Sequence, residues 1–311
     1  MTFSDLPIYT ADDVMGAVPY AAAVDAIEEA LRGSVDPADD PARSFVEIDA
    51  GQLLLMPSAG GAYAGVKLAT VAPDNPARGL PRIQAVYVLF DAATLSPVAL
   101  LDGSALTTLR TPAVSAAAAR HLTPERLDRL VVFGTGPQGG GHVDALGSIR
   151  ELGEVNIVGR DATKAAALAE RLVGKGFDAS VGTVDGVREA DVIVCATTAE
   201  TPLFDGALVR ENACVLAIGA HTPDHRELDS GLMGRSTVVV EDHDTALREA
   251  GDVVLAAADG ALDIDDTVPL RDLVNGTSTR TSGRPAVFKG TGMSWQDLAV
   301  ASVAYERLRS A

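Results

Sequence analysis

Leu130-Val131-Val132-Phe133-Gly134-Thr135-Gly136-Pro137-Gln138-Gly139-Gly140-Gly141-His142 carries four apolar residues into a G-x-G-x-x-G turn. The next apolar positions, Val143, Leu146, Ile149 and Leu152, fall at helical spacing, so the turn lies where a strand hands over to a helix. In that context each glycine has a task. Gly134 permits a tight turn, Gly136 lets the backbone approach a pyrophosphate, and Gly139 lets helix and strand pack closely, with the phosphate charge at the helix N-terminus. The stretch reads as a dinucleotide-binding turn, and Thr135, Pro137 and Gln138 are assigned to cofactor contact with the three glycines.

Downstream the α/β alternation is regular. Strand-like runs at Val155 to Val158, Asp191 to Ala196, Ala213 to Ile218 and Thr237 to Val240 alternate with helical segments such as Ala162 to Val173. This pattern predicts a doubly wound, Rossmann-type parallel sheet with helices on both faces. The second strand ends in Gly159-Arg160-Asp161. An acidic residue near this point serves the ribose 2′-hydroxyl of NAD, whereas an arginine accommodates a 2′-phosphate. Gly159 and Arg160, with Lys164 one helical turn on, therefore favour NADPH over NADH, and Asp161 reads better as the N-cap of the next helix. Thr197 lies at the carboxyl end of the fourth strand, where such sheets bind ligands. His221, after the fifth strand, would face the nicotinamide end of the cleft as a proton relay or stand as a solvated loop histidine.

Bulk properties narrow the class. A length of 311 residues accommodates two domains, and 47% hydrophobic residues suffice for a core in each. With 25 basic against 43 acidic residues the net charge is −18, which opposes nucleic acid and anionic membranes but not an anionic cofactor held by local arginines and helix ends. No apolar run approaches the roughly 18 residues of a membrane span. Met1 to Val18 lacks the basic-then-apolar order of a signal peptide, so the expectation is a cytoplasmic protein. Cys195 and Cys214 both lie in apolar runs and read as buried free thiols, and the five histidines show no ligand spacing, so no metal is expected.

The first hundred residues have another character. After a helix marked by Val24, Ile27 and Leu31 comes an acidic linker at Asp36 to Pro41. Short β-type runs follow at Phe45 to Ile48, Gln52 to Met56, Tyr63 to Val71, Ile83 to Phe90 and Pro97 to Leu101. Turn residues separate them, which predicts an antiparallel meander. Arg43, Lys67 and Arg110 stand out in this half. Each can snorkel to solvent or pair with a surface carboxylate. A lysine with apolar neighbours on both sides, as in Gly65-Val66-Lys67-Leu68-Ala69, is harder to place that way, because burying an unpartnered ammonium is costly. Its desolvation would also lower its pKa toward neutrality, which suits proton transfer. Arginine forks suit a carboxylate. The alanine-rich helix from Pro112 to His121 places Pro112 in its first turn, where the missing N–H is harmless, with Thr111 and Ser115 either near the cofactor phosphates or capping the helix. A final helix carries Trp295, Leu298, Val303 and Leu308.

These stretches together resemble the ornithine cyclodeaminase and mu-crystallin family over nearly the whole chain. The matching residues are Leu55-Met56-Pro57, Gly65-Val66-Lys67, Arg110-Thr111 with Ala113 to Ala116, the turn Gly134 to Gly139, Pro223-Asp224-His225-Arg226-Glu227-Leu228, and Val287-Phe288-Lys289 with Gly292. The resemblance implies a homodimer of split subunits: an α+β substrate and dimerisation domain over residues 1–118, completed by 291–311, with a Rossmann domain at 119–290. It further implies that Lys67 is the proton-transfer residue and that Arg43 and Arg110 hold a substrate carboxylate; Met56, in the matching Leu55-Met56-Pro57 stretch, is assigned to the substrate, and His221, read from its place after the fifth strand, is a second catalytic candidate. Thr111, Thr197, Thr198, Gly219, Lys289 and Gly292 are assigned to the cofactor. Two departures matter. Ornithine cyclodeaminases carry an aspartate where this chain has His221, and a glutamate where it has Leu54. The resemblance is therefore closer to the ketimine reductase branch, and the expected activity is reduction of a small 2-carboxylated imine such as Δ1-pyrroline-2-carboxylate or Δ1-piperideine-2-carboxylate. Alternatives are an amino-acid dehydrogenase, a reductase condensing an amine with a 2-oxo acid, an ornithine cyclodeaminase, and a non-catalytic protein that keeps NADPH as a structural element.

Overall fold

The structure is a computed structural model and describes residues 5–310. In chain order its first elements are β1 (Ile8–Tyr9), α1 (Ala11–Ala17), α2 (Tyr20–Arg32), β2 (Ser44–Ile48), β3 (Gly51–Gly60), β4 (Tyr63–Val71), β5 (Ile83–Asp91), β6 (Pro97–Asp102) and α3 (Gly103–Leu122). Then come β7 (Arg126–Phe133), α4 (Pro137–Gly147), β8 (Glu151–Val158), α5 (Ala162–Val173), β9 (Asp178–Val181), β10 (Val192–Cys195), β11 (Cys214–Ala217), α6 (Ser230–Arg235) and β12 (Thr237–Val240). The chain continues with α7 (His243–Glu249), α8 (Gly251–Ala258), β13 (Val268–Pro269), α9 (Leu270–Val274), β14 (Ala286–Lys289) and α10 (Ser294–Leu308). No helix among the described residues is long and apolar enough to cross a membrane.

The chain divides into two compact units, one running up to Thr111 and resuming at Met293, the other spanning Pro112–Gly292. The family resemblance implies boundaries after residue 118 and before residue 291, whereas these compact units divide after Thr111 and before Met293.

In the first unit, β2 to β6 form an antiparallel meander and β1 adds in parallel, in the order β1-β6-β5-β4-β3-β2. Strand alternation decides the faces. Along β4, Tyr63, Gly65, Lys67 and Ala69 are buried, and the same face carries Leu54, Met56 and Ser58 from β3 with Tyr87 and Leu89 from β5. Helix α10 packs against β3, β4 and β5 and against α2, whose Val24, Ile27 and Leu31 are fully buried. Burial of each such side chain contributes about 1.5–3 kcal/mol. The opposite face is also apolar. Leu55, Leu68 and Val86 lie in register there, as do Pro57, Val66 and Val88, and all of these are half-buried or exposed.

Helix α3 begins at Gly103, so Pro112 is not in a first turn but is the tenth of its 20 residues. Proline in a helix interior leaves the carbonyl four residues earlier without its usual donor. That carbonyl is Thr108 O, and the Tyr20 hydroxyl donates to it at 3.3 Å. A side chain from α2 thus takes the place of the N–H that proline lacks.

In the second unit every strand pair is parallel, in the order β13-β12-β14-β11-β10-β7-β8-β9. The expected strands are present, and β9, β13 and β14 join them, with β14 inserted between β11 and β12. Helix α4 stops at Gly147, so Ile149 and Leu152 leave the helical stripe, and Leu152 belongs to β8. His142 on α4 is fully buried, with Nδ1 2.7 Å from Gln138 O and Nε2 2.9 Å from Ser115 Oγ. Burial pushes its pKa down to about 4. A neutral ring that donates from Nδ1 and accepts at Nε2 satisfies both contacts and ties α4 to α3. Cys195 and Cys214 are buried free thiols.

If Tyr20 substitutes for the missing helical donor, Tyr20→Phe should cost about 1 kcal/mol in denaturant unfolding of the wild type. The cost should nearly vanish in a Pro112→Ala background, where the backbone N–H restored by the alanine can take the carbonyl. Equal costs in both backgrounds would refute this coupling.

Candidate active site

Two groups of polar side chains stand apart from the surrounding apolar cores, one in each unit.

In the first unit the centre is Lys67. The pleat of β4 aims it into the helix-covered face, directly opposite Met56 on β3 and Tyr87 on β5. Its side chain is 3% exposed. Nζ lies 2.7 Å from Asp297 Oδ2 and 3.4 Å from Thr107 Oγ1. Burial pushes its pKa down to about 8; the opposite charge of Asp297 resists this, and the positive charges of Arg110 and Arg43 add to it. Arg110, on α3 and also buried, donates from Nη1 to Gln296 Oε1 at 2.9 Å and places Nε 3.5 Å from Asp297 Oδ1. Arg43, half-buried just before β2, is near enough for its charge to act on Lys67. The three cationic residues singled out in the sequence therefore share one neighbourhood, lined by Met56 and Leu54, both buried.

The start of α10 is fixed from outside the helix. Its N-cap, Met293, offers no side-chain cap, and Asp40 from the acidic linker accepts from Trp295 N at 3.1 Å and from Ser58 Oγ at 2.8 Å. Burial raises the pKa of Asp40 to about 6, against the lowering effect of those hydrogen bonds.

In the second unit the glycine turn sits at the carboxyl end of β7. Gly134 has φ +118°, and a Cβ there would lie 2.3 Å from Ala196 O; a Cβ on Gly139 would lie 2.2 Å from Gly134 O. At Gly136 a Cβ would meet nothing within 4 Å. Gly136 is also the N-cap of α4, has no side chain to cap it, and is followed by Pro137. Open space in front of an uncapped helix start fits a pyrophosphate, which would accept from the first-turn N–H groups. Thr135 and Gln138 lie in the same turn. After β8, Asp161 accepts from Thr163 N and Lys164 N at 3.0 and 3.1 Å, so it caps α5, while the Arg160 side chain is exposed beside it.

A buried carboxylate joins the next two strand ends. Glu227 Oε1 accepts from Thr197 N and Thr197 Oγ1, and Oε2 accepts from Gly219 N at 2.7 Å. Burial raises the Glu227 pKa, against the lowering effects of Lys289 and Thr197. The Glu227 and Leu228 N–H groups donate to Asp252 Oδ1, and Asp252 Oδ2 faces Lys289 Nζ at 2.9 Å. Lys289, expected beside the cofactor, is therefore enclosed: its ammonium pairs with Asp252 and donates to Ala220 O. The Gly292 N–H, assigned to the same side, is taken by Glu241. His221 is exposed, with Nδ1 3.1 Å from Gly219 O; Thr198 is exposed and Thr111 half-buried on α3.

Sequence reasoning missed Asp297, Gln296, Asp40, Glu227, Asp252 and Glu241 as structural partners. One signal was available: Asp297 shares the buried stripe of α10 with Ser294, Leu298, Ala301 and Ala304, and a carboxylate on an apolar stripe calls for a buried cation.

A parallel sheet with a glycine turn at its switch point, in a chain with a second, split α+β unit, defines a Rossmann-type dinucleotide-binding fold. The chain belongs to the ornithine cyclodeaminase/mu-crystallin family, whose family model matches residues 6–311. It is 32% identical to the Δ1-pyrroline-2-carboxylate/Δ1-piperideine-2-carboxylate reductase of Azospirillum brasilense, over 98% of this chain and 97% of that one. It is 29% identical to the alanine dehydrogenase of Archaeoglobus fulgidus, over 97% and 95%. Among solved structures, the Δ1-pyrroline-2-carboxylate reductase of Thermococcus litoralis in complex with NADH and L-proline superposes with a TM-score of 0.91 at 25% identity, covering 98% of each chain.

Gly136→Ala should leave thermal stability close to wild type, since its methyl meets nothing within 4 Å, yet weaken dinucleotide binding about tenfold or more in a fluorescence titration with NADH or NADPH, the outcome expected where a phosphate takes the open space before α4. Gly134→Ala should instead lower stability, since both its φ and its neighbours reject a side chain. Undiminished binding by a folded Gly136→Ala protein would argue against this placement.

Proposed function

We propose that this chain is an NADPH-dependent reductase of small, cyclic, 2-carboxylated imines such as Δ1-pyrroline-2-carboxylate or Δ1-piperideine-2-carboxylate. The observation that carries the reading is the buried Lys67 ammonium held among Asp297, Arg110 and Arg43, against a wall where Leu54 and Met56 supply no charge. A substrate with one carboxylate and one basic nitrogen suits that set. The relatives named as reductases of such imines support the same class.

The glycine turn from Gly134 to Gly139 would hold a nicotinamide cofactor, which would supply hydride for the imine carbon. Arg110 and Arg43 hold the carboxylate in forked hydrogen bonds and so orient the carbon that reacts. Lys67, an ammonium in the free enzyme, gives a proton to the imine nitrogen and becomes a neutral amine that regains a proton from solvent before the next turnover; the iminium so formed accepts hydride far more readily than a neutral imine. The nitrogen retains that proton and the carbon gains the hydride, giving a cyclic L-amino acid. Without a carboxylate at Leu54, nothing at that position would receive a second amino group, which disfavours ornithine as substrate. His221 is assigned a secondary role in proton relay. Arg160 is assigned to the 2′-phosphate, because Asp161 is engaged as a helix cap. The chain is further proposed to form a homodimer through the apolar sheet face bearing Val66, Leu68, Val86 and Val88, which no helix named above covers and which adjoins the exposed Phe45, Val46 and Ile83 of the same sheet. The alanine dehydrogenase relative favours a second reading, ammonia-dependent reduction of a 2-oxo acid.

The test is NADPH oxidation with purified protein and a substrate panel. Turnover is expected with the cyclic imines and not with pyruvate plus ammonia or methylamine; the converse pattern moves the assignment to the dehydrogenase or a condensing enzyme. Lys67→Ala should reduce kcat at least about a hundredfold while leaving NADPH affinity near wild type, and Arg160→Ala should raise the KM for NADPH more than that for NADH. Because the active lysine is the charged form, kcat/KM should hold below about pH 8 and fall above it. Val66→Asp with Val88→Asp should convert a dimer to a folded monomer in light scattering; an unchanged mass would remove this face from the assembly.

A further inference from the structure

We propose that Asp297 is a positioning residue that sets Lys67 and Arg110 against each other and maintains Lys67 as an ammonium. The inference rests on the reading of Lys67 as the proton-holding group and deepens it.

Asp297 is completely buried, and its two oxygens face two different cations, Lys67 Nζ through Oδ2 and Arg110 Nε through Oδ1. One rigid carboxylate thereby fixes the distance between the group that serves the nitrogen and the group that serves the carboxylate of one small substrate. The preceding residue, Gln296, is also fully buried and accepts from Arg110 Nη1 at 2.9 Å, so a single turn of α10 meets the guanidinium by one hydrogen bond and by the ion-pair contact of Asp297 with Nε. Asp40 and Ser58 clamp that turn from the linker and from β3.

The charges around Lys67 make the second half of the role necessary. From α3 it faces Arg110 and the Thr107 hydroxyl, from the segment before β2 it faces Arg43, and from α10 it faces Asp297. Tyr87 stands opposite it on β5, and Asp40 is engaged at the start of α10. Desolvation and both arginines favour loss of the lysine proton, and the carboxylate of Asp297 opposes them. With Asp297 neutralised, Lys67 would be a buried amine beside two guanidinium groups. Bound substrate would restore part of the missing charge through its own carboxylate, so the deficit should be greatest in the free enzyme.

The sequence contains four lysines, of which Lys164 and Lys175 are exposed, so side-chain NMR of the full-length protein labelled with [13Cε]lysine resolves Lys67 without any assay of turnover. Lys67→Arg identifies its signal. In Asp297→Asn, nearly the same in shape, the Lys67 midpoint should fall by about one pH unit or more, with the Lys289 signal unmoved. The alkaline fall of kcat/KM should shift in the same direction, and that of kcat by less, since the first reports free enzyme and the second the complex. A folded Asp297→Asn protein whose Lys67 titrates as in the wild type would overturn the proposal. Should that variant fail to fold, Asp297→Glu carries the test: its longer arm should keep the Lys67 midpoint from falling while raising the KM for the imine about tenfold. A lowered midpoint or wild-type kinetics in Asp297→Glu would overturn it equally. A shifted titration with no imine turnover would retain Asp297 as the keeper of the lysine charge and remove only the substrate reading.

Discussion

An ammonium buried in the middle of a sheet face is tolerable only if a counter-charge is buried with it, and here that requirement reaches across the chain. Lys67 finds its carboxylate on Asp297, 230 residues further on. Arg110 leans on the same helix through Gln296. Without α10 the first unit would leave its apolar face open to water, and covering that face without Asp297 would bury two unpaired cations at a cost of several kcal/mol each. The division of this unit into an N-terminal body and a C-terminal return is thus the form in which its electrostatics can be satisfied.

The second unit meets a similar constraint with different means. The loops at the carboxyl ends of β10 and β11 have no regular backbone pairing of their own, yet they must present a stable edge to a ligand. Glu227 supplies acceptors to both, Asp252 holds the backbone of Glu227, and Lys289 balances Asp252. Such a relay is stabilising as a set and costly to break at one member. It also accounts for the Asp-His-Arg-Glu-Leu stretch at residues 224–228, whose glutamate works inward rather than toward the cofactor.

Much of this was legible in the sequence because it depends on local chemistry. The strands of the meander announce themselves by alternation and by the turn residues between them, and the glycine turn by the strand before it and the helix after it. Lys67 was conspicuous as a charge within an apolar run. What was not legible has non-local causes. The start of α3 was obscured because Gly103, Thr107 and Thr108 are weak helix formers that tertiary packing overrides. Ile149 and Leu152 continued a helical spacing by coincidence after α4 had ended. Strand β14 follows β12 in sequence but enters the sheet ahead of it. Glu227 and Asp252 lie in polar local sequence, so only their distant partners reveal that they are buried, and for Asp297 the apolar stripe of α10 hints at burial without identifying Lys67 and Arg110 as its partners.

The split unit also imposes an order on synthesis. As the chain leaves a ribosome, the meander and α3 emerge first, but Lys67 and Arg110 must wait for α10, which comes last. The intervening unit, continuous in sequence, can close around its own parallel sheet in the meantime. The nascent first unit therefore passes through a period in which its apolar face and its cations are uncovered, a state open to holding factors and exposed to aggregation. Formation of α10 closes that interval, since it brings Asp297 and Gln296 to Lys67 and Arg110 and covers the face of β3, β4 and β5.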